Sequence, residues 1–361
     1  MTDVRRTLER EIDGIPAAEF GLEAVARRRD RRRRNRRIGS GALGAAIALL
    51  GIVAIGRVMT TSPEQPAGVP RDRLVFVSPG HGGEEDRLMA STTDGADLVQ
   101  LADIHAEYPE WSPDGTSVAF DDGRNLIGSP FTMPNGQIYV VAADGSDLRR
   151  VSPDGGFSAP SWSPDGGRLA VAAARPGEAS GISWMDVATA ELTPVTSNPF
   201  GQWDGEPVVS PDGGTIAFTR IRELEVSDAT RHLAALFVVN ADGSGLRRLT
   251  SWASDAAAPA WSPDGSRIAF NTDDHFDPAR SQRIVVIDAD GSDARTLVRS
   301  GPNEGSYWPT WSPDGARIVF TRADLQLVVP SQLLVVPSRG GDAVPFLSEP
   351  ELNQADWATL P

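Results

Sequence analysis

Three carboxylates and an imidazole stand within five residues at Asp273-Asp274-His275-Phe276-Asp277. Hard divalent cations take oxygen ligands, which makes Asp273, Asp274 and Asp277 the candidate metal ligands. A divalent cation there is the one cofactor the sequence suggests. A second string, Asp288-Ala289-Asp290-Gly291-Ser292-Asp293, resembles part of a calcium loop. Its glycine falls too early for such a loop and the closing glutamate is missing. The same Ala-Asp-Gly-Ser recurs within 142–146 and 241–244, where it reads as turn chemistry. His81, His105, His232 and His275 share no spacing that would join them as ligands. The chain has no cysteine, which excludes disulfides, thiolate zinc sites and thiol catalysis.

A different chemistry gathers where aromatic residues alternate with acids: Glu107 and Tyr108, Trp203 and Asp204, Trp252, and Tyr307 and Trp308. Rings beside carboxylates suit a protein surface, a cationic ligand or a sugar. These seven residues are the expected ligand-binding face. No catalytic residues are assigned. Acids are plentiful throughout, so paired carboxylates carry little information about a polysaccharide lyase or hydrolase, the enzymatic alternative.

What positions these residues is a repeat. Pro-x-Trp-Ser-Pro-Asp-Gly followed by an apolar strand begins at Pro109, Pro160, Pro259 and Pro309, and at Pro207 with Val209 in place of tryptophan. A truncated copy, Ala-Asp-Trp, begins at Ala355. Within each unit a second half reads apolar strand, Asp-Gly turn, strand, as in Leu236 to Thr250. The units are spaced by roughly 50 residues and hold four strands, the pattern of a propeller blade. Strands from Arg73 onward have no innermost strand before them, and Ala355-Asp356-Trp357 is an innermost strand with nothing after it. Joining these halves makes a sixth blade and leaves no open sheet edge. The expected fold is all-β: a six-bladed propeller closed by its N- and C-terminal strands. Short repeated turns occupy one face and long irregular loops the other, so binding is expected on the loop face.

The WSPDG unit with its Ile-Ala-Phe strand resembles the repeat of TolB-type propellers, a WD-repeat-like class, over about residues 73–357. The resemblance implies an extracytoplasmic compartment and a protein partner in the cell envelope. TolB proteins carry an additional α/β domain ahead of the propeller, and nothing in this chain matches it. The same repeats precede hydrolase domains in prolyl-oligopeptidase-like enzymes, whose Gly-x-Ser-x-Gly signature is missing here.

Charge divides the chain. Residues 1–57 hold 13 Arg against 7 acids, and the remainder holds 21 Arg against 42 acids. So acidic a domain repels phosphate backbones, which excludes nucleic acid as its partner. Residues 1–37 read as an arginine-rich cytoplasmic tail, with nine arginines between Arg27 and Arg37 placed to meet anionic lipids. Residues 38–56 are uncharged and, as a helix at about 1.5 Å per residue, match a ~30 Å hydrocarbon core. The positive-inside rule sets the N-terminus in the cytoplasm and the propeller outside. Residues 57–72 form a proline-rich linker, and residues 73–361 the propeller. The expected function is a membrane-anchored module that binds an envelope protein or glycan. The alternative is a transmembrane sensor, like an anti-sigma regulator, whose tail reports propeller occupancy.

Overall fold

The computed structural model describes residues 71–360 except 79–86, 96, 124–133, 175–179, 199–201, 227–228, 273–281, 302, 325–331 and 347–352. The expected tail, the 38–56 segment, most of the linker and the Asp273, Asp274 and Asp277 string lie outside the described residues. Among the described residues no helix is long and apolar enough to cross a membrane. The propeller unit runs from Gly68 to Pro361, and its first strand opens at Arg71, two residues ahead of the expected boundary.

Six sheets of four antiparallel strands are present, each strand a neighbouring strand b, then c, then d. Blade 1 takes strand a from the C-terminus, Asn353–Leu360, and strands b, c and d from Arg71–Ser78, Arg87–Thr92 and Val99–Ala102. Blade 2 comprises Glu107–Trp111, Ser117–Asp121, Ile138–Ala142 and Arg149–Arg150. Blade 3 comprises Phe157–Trp162, Arg168–Ala173, Gly181–Asp186 and Leu192–Pro194. Blade 4 has Gln202–Val209, Thr215–Val226, Ala229–Asn240 and Arg247–Arg248, and its b–c hairpin is the longest. Blade 5 has Ala256–Trp261, Arg267–Thr272, Arg283–Asp288 and Arg295–Arg299; blade 6 has Glu304–Trp311, Arg317–Asp324, Gln332–Pro337 and Val344–Pro345.

The Ser-Pro-Asp-Gly turns are built from local hydrogen bonds. In blade 2, Ser112 Oγ donates to Asp114 Oδ1 at 2.6 Å and accepts the Ser117 N–H at 3.0 Å. Gly115 takes φ 66°, the left-handed conformation a side chain would resist. The Ser–Asp bond recurs in blades 3, 4, 5 and 6 at Ser163, Ser210, Ser262 and Ser312. Blades 2 to 6 therefore reverse direction between strands a and b on their own residues, and neighbouring blades pack against them. That packing forms six separate apolar clusters, one across each interface. Phe120, Trp111, Leu88 and Val75 join blades 1 and 2, and Val319, Leu333, Leu74 and Trp357 join blades 6 and 1. The ring is closed through Leu74 paired with Trp357 and Arg71 paired with Leu360.

Candidate functional site

All six innermost strands carry the same distortion. The register between strands a and b slips around Tyr108–Pro109, Ala159–Pro160, Glu206–Pro207, Ala258–Pro259 and Trp308–Pro309, and opposite Gln354 in blade 1. At each slip one non-glycine residue has positive φ: Tyr108 50°, Ala159 50°, Glu206 51°, Ala258 52°, Trp308 50° and Gln354 43°. Left-handed backbone costs such residues about 1–2 kcal/mol apiece. Proline follows in five of the six blades because the bulge leaves that position outside the ladder, where a missing N–H is harmless.

At four of the bulges the N–H of the positive-φ residue is caught by a side chain from another blade. Ala159 N–H donates to Asp121 Oδ2 at 2.7 Å, Ala258 N–H to Glu206 Oε2 at 2.8 Å, and Trp308 N–H to Asn271 Oδ1 at 3.3 Å. Tyr108 N–H donates to Gln354 Oε1 at 2.7 Å. The six bulge residues line a central cavity of about 560 Å³ to which every blade contributes.

The chemistry of that channel is acidic and aromatic. The Tyr108 hydroxyl reaches from blade 2 to Glu206 Oε1 of blade 4 at 3.4 Å, across the space left by Ala159. Burial, then the nearby Glu206, pushes the Tyr108 phenol well up. One layer on, Glu110 accepts from Ser161 Oγ and the Trp162 N–H at 3.2 and 3.1 Å, while Asp356 accepts the Trp111 N–H at 2.9 Å. Burial and the neighbouring Asp356 raise the Glu110 carboxyl well above the usual range, and burial also raises Glu206 and Asp356. Ser161 and Thr310 continue this polar side, and Val208 and Ala260 make the opposite side apolar. Such a cavity suits an amphipathic segment or a cationic group. Among the described residues no cluster of three or more His, Asp or Glu is arranged to hold a metal ion.

The residues expected at the binding face are dispersed by the fold. Tyr108 and Trp308 both line the channel, and the Tyr307 ring lies tilted against Trp308 with centroids 5.5 Å apart. Glu107 is buried beside Tyr108 and lies 3.2 Å from His105 Nε2. Trp203 and Asp204 belong to strand a of blade 4 and are 3% and 0% exposed. Asp204 holds Arg220 through two bonds of 2.7 and 2.9 Å, and Trp203 packs on Ile221 and Ala234. Trp252, 9% exposed, stacks under the Arg222 guanidinium at 4.3 Å, away from the channel. Glu206 belongs to the loop stretch expected to bind, while Glu110, Gln354 and Asp356 were not expected. The signal for them was the residue before each Pro-x-Trp and the one after its proline.

Residues 64–223 match the family model described as TolB beta propeller domain. An uncharacterized peptidase YuxL of Bacillus subtilis is 27% identical over 47% of the chain, a match covering 30% of that protein. The Tol-Pal system protein TolB of Anaeromyxobacter dehalogenans is 40% identical over 28% of the chain and 21% of its own length. The chain thus spans less than a third of either of these relatives. Among solved structures, TolB from Acinetobacter baumannii superposes with a TM-score of 0.59 at 21% identity, covering 80% of this chain and 66% of that one. Repeat and blade order agree on a six-bladed β-propeller, and its first part, residues 64–223, is similar to the TolB beta propeller domain.

Proposed function

We propose that this chain is a binding module of the cell envelope, whose propeller receives a segment of an envelope protein at the loop-side mouth of its channel. One observation carries the reading. At the six bulges the repeat keeps an unfavourable backbone and varies the side chain: Tyr108, Ala159, Glu206, Ala258, Trp308 and Gln354. Strained non-glycine backbone persists where the surrounding structure over-determines it, commonly at ligand sites. Here the strain aims six side chains into one cavity. The relative that belongs to a Tol-Pal system supports a protein partner ahead of a glycan. Residues 38–56 are proposed to hold the propeller outside the cytoplasm, with the arginines of 27–37 against anionic lipid on the inner side.

A photo-crosslinking residue placed at Ala258 in the full-length chain, in membranes of the source cells, tests the reading. One envelope protein is expected to be captured, with loss of capture when Tyr108 and Trp308 are both replaced by Ala. No adduct from the channel position, or an undiminished adduct in the double variant, removes the channel from the interface. An adduct that runs as polysaccharide favours the glycan reading. Resistance of the full chain to alkaline extraction from membranes, lost on deletion of residues 38–56, tests the anchor.

A further inference from the structure

Strand b of each blade opens beside the tryptophan of the next blade's strand a. In blades 5 and 6 the opening residue, and in blade 1 the third residue of strand b, is an arginine whose guanidinium lies over that indole. Arg267 stands 5.1 Å from the Trp311 ring centroid, Arg317 4.7 Å from Trp357, and Arg73 5.9 Å from Trp111. Blade 2 has Ser117 in this place: it precedes Val118, the cross-strand partner of Trp111, as Arg267 precedes Ile268, the partner of Trp261. No arginine among the described residues stacks on Trp162, the indole that Ser117 faces.

A groove of about 440 Å³ opens there between blades 2 and 3, lined by Ser117 and Trp162 and bordered by the turn carboxylates Asp114 and Asp165. The three indoles under arginine are 4–5% exposed, and Trp162 is 7% exposed. Arg149 also borders the groove, on the outer strand. Its counterparts Arg247 and Arg295 reach across to the following blade in the same direction, to Ala289 O at 2.9 Å and Ser338 O at 2.6 Å. Arg168, the opening residue of blade 3, turns to Trp184 at 4.5 Å in its own blade, where the next blade offers Val209.

We infer that the groove between blades 2 and 3 is a docking site for an arginine side chain of a partner polypeptide, whose guanidinium takes over Trp162 the place that Arg267, Arg317 and Arg73 fill in their own interfaces. Asp114 and Asp165 supply the opposite charge at either lip. The acidic remainder of the domain, 21 Arg against 42 acids beyond residue 57, draws such a partner in. The groove adjoins the channel at Ser112 and Pro113, but Trp162, Ser117, Asp114 and Asp165 do not line the channel, so the site stands whether or not the channel binds protein. Trp261 faces Thr215 in the same way, so a test must read both indoles.

The probe is N-acetyl-arginine-amide, titrated into full-length protein carrying fluorotryptophan, with resonances assigned by single Trp→Phe changes. The Trp162 resonance is expected to shift and saturate in the millimolar range. N-acetyl-citrulline-amide, uncharged and of like shape, is expected to bind at least about tenfold more weakly. Ser117→Arg places the native solution of three other blades in the groove, and should abolish binding while raising the melting temperature. Trp162→Val, which introduces the side chain blade 4 carries at Val209, should abolish binding measured by calorimetry. An unmoved Trp162, a response at Trp261 alone, equal binding of the citrulline amide, or retained binding in Ser117→Arg each overturns the proposal. Binding that appears only after deletion of residues 27–37 also overturns it, because the occupant is then the chain's own arginine segment.

Discussion

An indole N–H inside a propeller needs an acceptor on another blade, since its own sheet's ladder is already engaged. Three of the repeated tryptophans find the same one, the carbonyl of the residue just before the preceding blade's tryptophan position. Trp162 Nε1 donates to Glu110 O at 3.2 Å, Trp261 to Val208 O at 3.1 Å and Trp311 to Ala260 O at 3.1 Å. Trp357 on the closing blade and Trp111 on the blade after it have buried indole nitrogens without a hydrogen-bond partner. A net hydrogen bond contributes about 1 kcal/mol. Trp311→Phe should therefore cost roughly 1 kcal/mol more than Trp111→Phe in denaturant unfolding, because both lose similar area and only the first loses a bond. Equal losses would leave these bonds without a role in stability. The repeat announced a tryptophan between blades; it could not announce its acceptor, which lies some 50 residues away on another sheet. The same limit explains Trp203 and Asp204. An aromatic beside an acid in a loop-like stretch reads as a binding surface, yet Asp204 sits opposite Arg220 in the strand register. Removing one member of a buried ion pair leaves an uncompensated charge, so Asp204→Ala should cost about 3–5 kcal/mol with Arg220 left behind. A loss below about 1 kcal/mol would mean that water already reaches the pair.

At the scale of elements, blade count and strand order were legible because every reversal is local. Ser-Pro-Asp-Gly and Ala-Asp-Gly-Ser satisfy their own hydrogen bonds, as Asp144 does with Ser146 at 2.6 Å, so each hairpin is readable without its neighbours. The bulges were hidden, although Pro-x-Trp at fixed spacing was in plain view. A proline inside a strand demands a gap in the ladder, and only the assembled ring shows that six gaps face one axis. Closure is the element whose loss is most revealing. Asn353–Leu360 supplies Trp357 to the core shared with blade 6, and Asp356 to both Trp111 N–H and Thr310 Oγ1. Deleting residues 355–361 exposes the edge of Arg71–Ser78 and two inter-blade faces together. A fall in melting temperature well beyond that of any point substitution is expected, with new concentration-dependent association through the bare edge. If the truncated chain melts with the intact one, ring closure contributes nothing to stability.

Across the whole molecule two populations of carboxylate oppose one another. On the turn face Asp114, Asp165, Asp212, Asp264 and Asp314 each accept a serine hydroxyl, which holds them below the usual aspartate range and takes Asp264 to about 2. Asp144, Asp242 and Asp290 in the second set of turns are lowered by Ser146, Ser244 and Ser292 in the same way. Around the channel Glu110, Asp121, Glu206 and Asp356 are raised by burial. For the lowered group the native state holds its protons less tightly than the unfolded chain. Its contribution is complete above an unfolded pKa of about 4 and disappears as pH falls through the lowered folded values. For the raised group the native state binds protons more tightly, so its contribution is complete below about 4 and is lost as pH climbs through the folded values. The two arms cross, and stability should peak in mildly acidic solution, with melting temperature higher at pH 5 than at pH 7 or at pH 2.5. Glu110 tests the upper arm alone. Only its Oε1 accepts hydrogen bonds, from Ser161 and Trp162, so an amide can keep both while removing the charge opposed by Asp356. Glu110→Gln should raise the melting temperature at pH 7 and leave it unchanged at pH 4, where the native carboxyl already carries its proton. A variant equally stabilised at both pH values would trace the gain to packing, and one destabilised at pH 7 would show that the channel needs the charge it holds there.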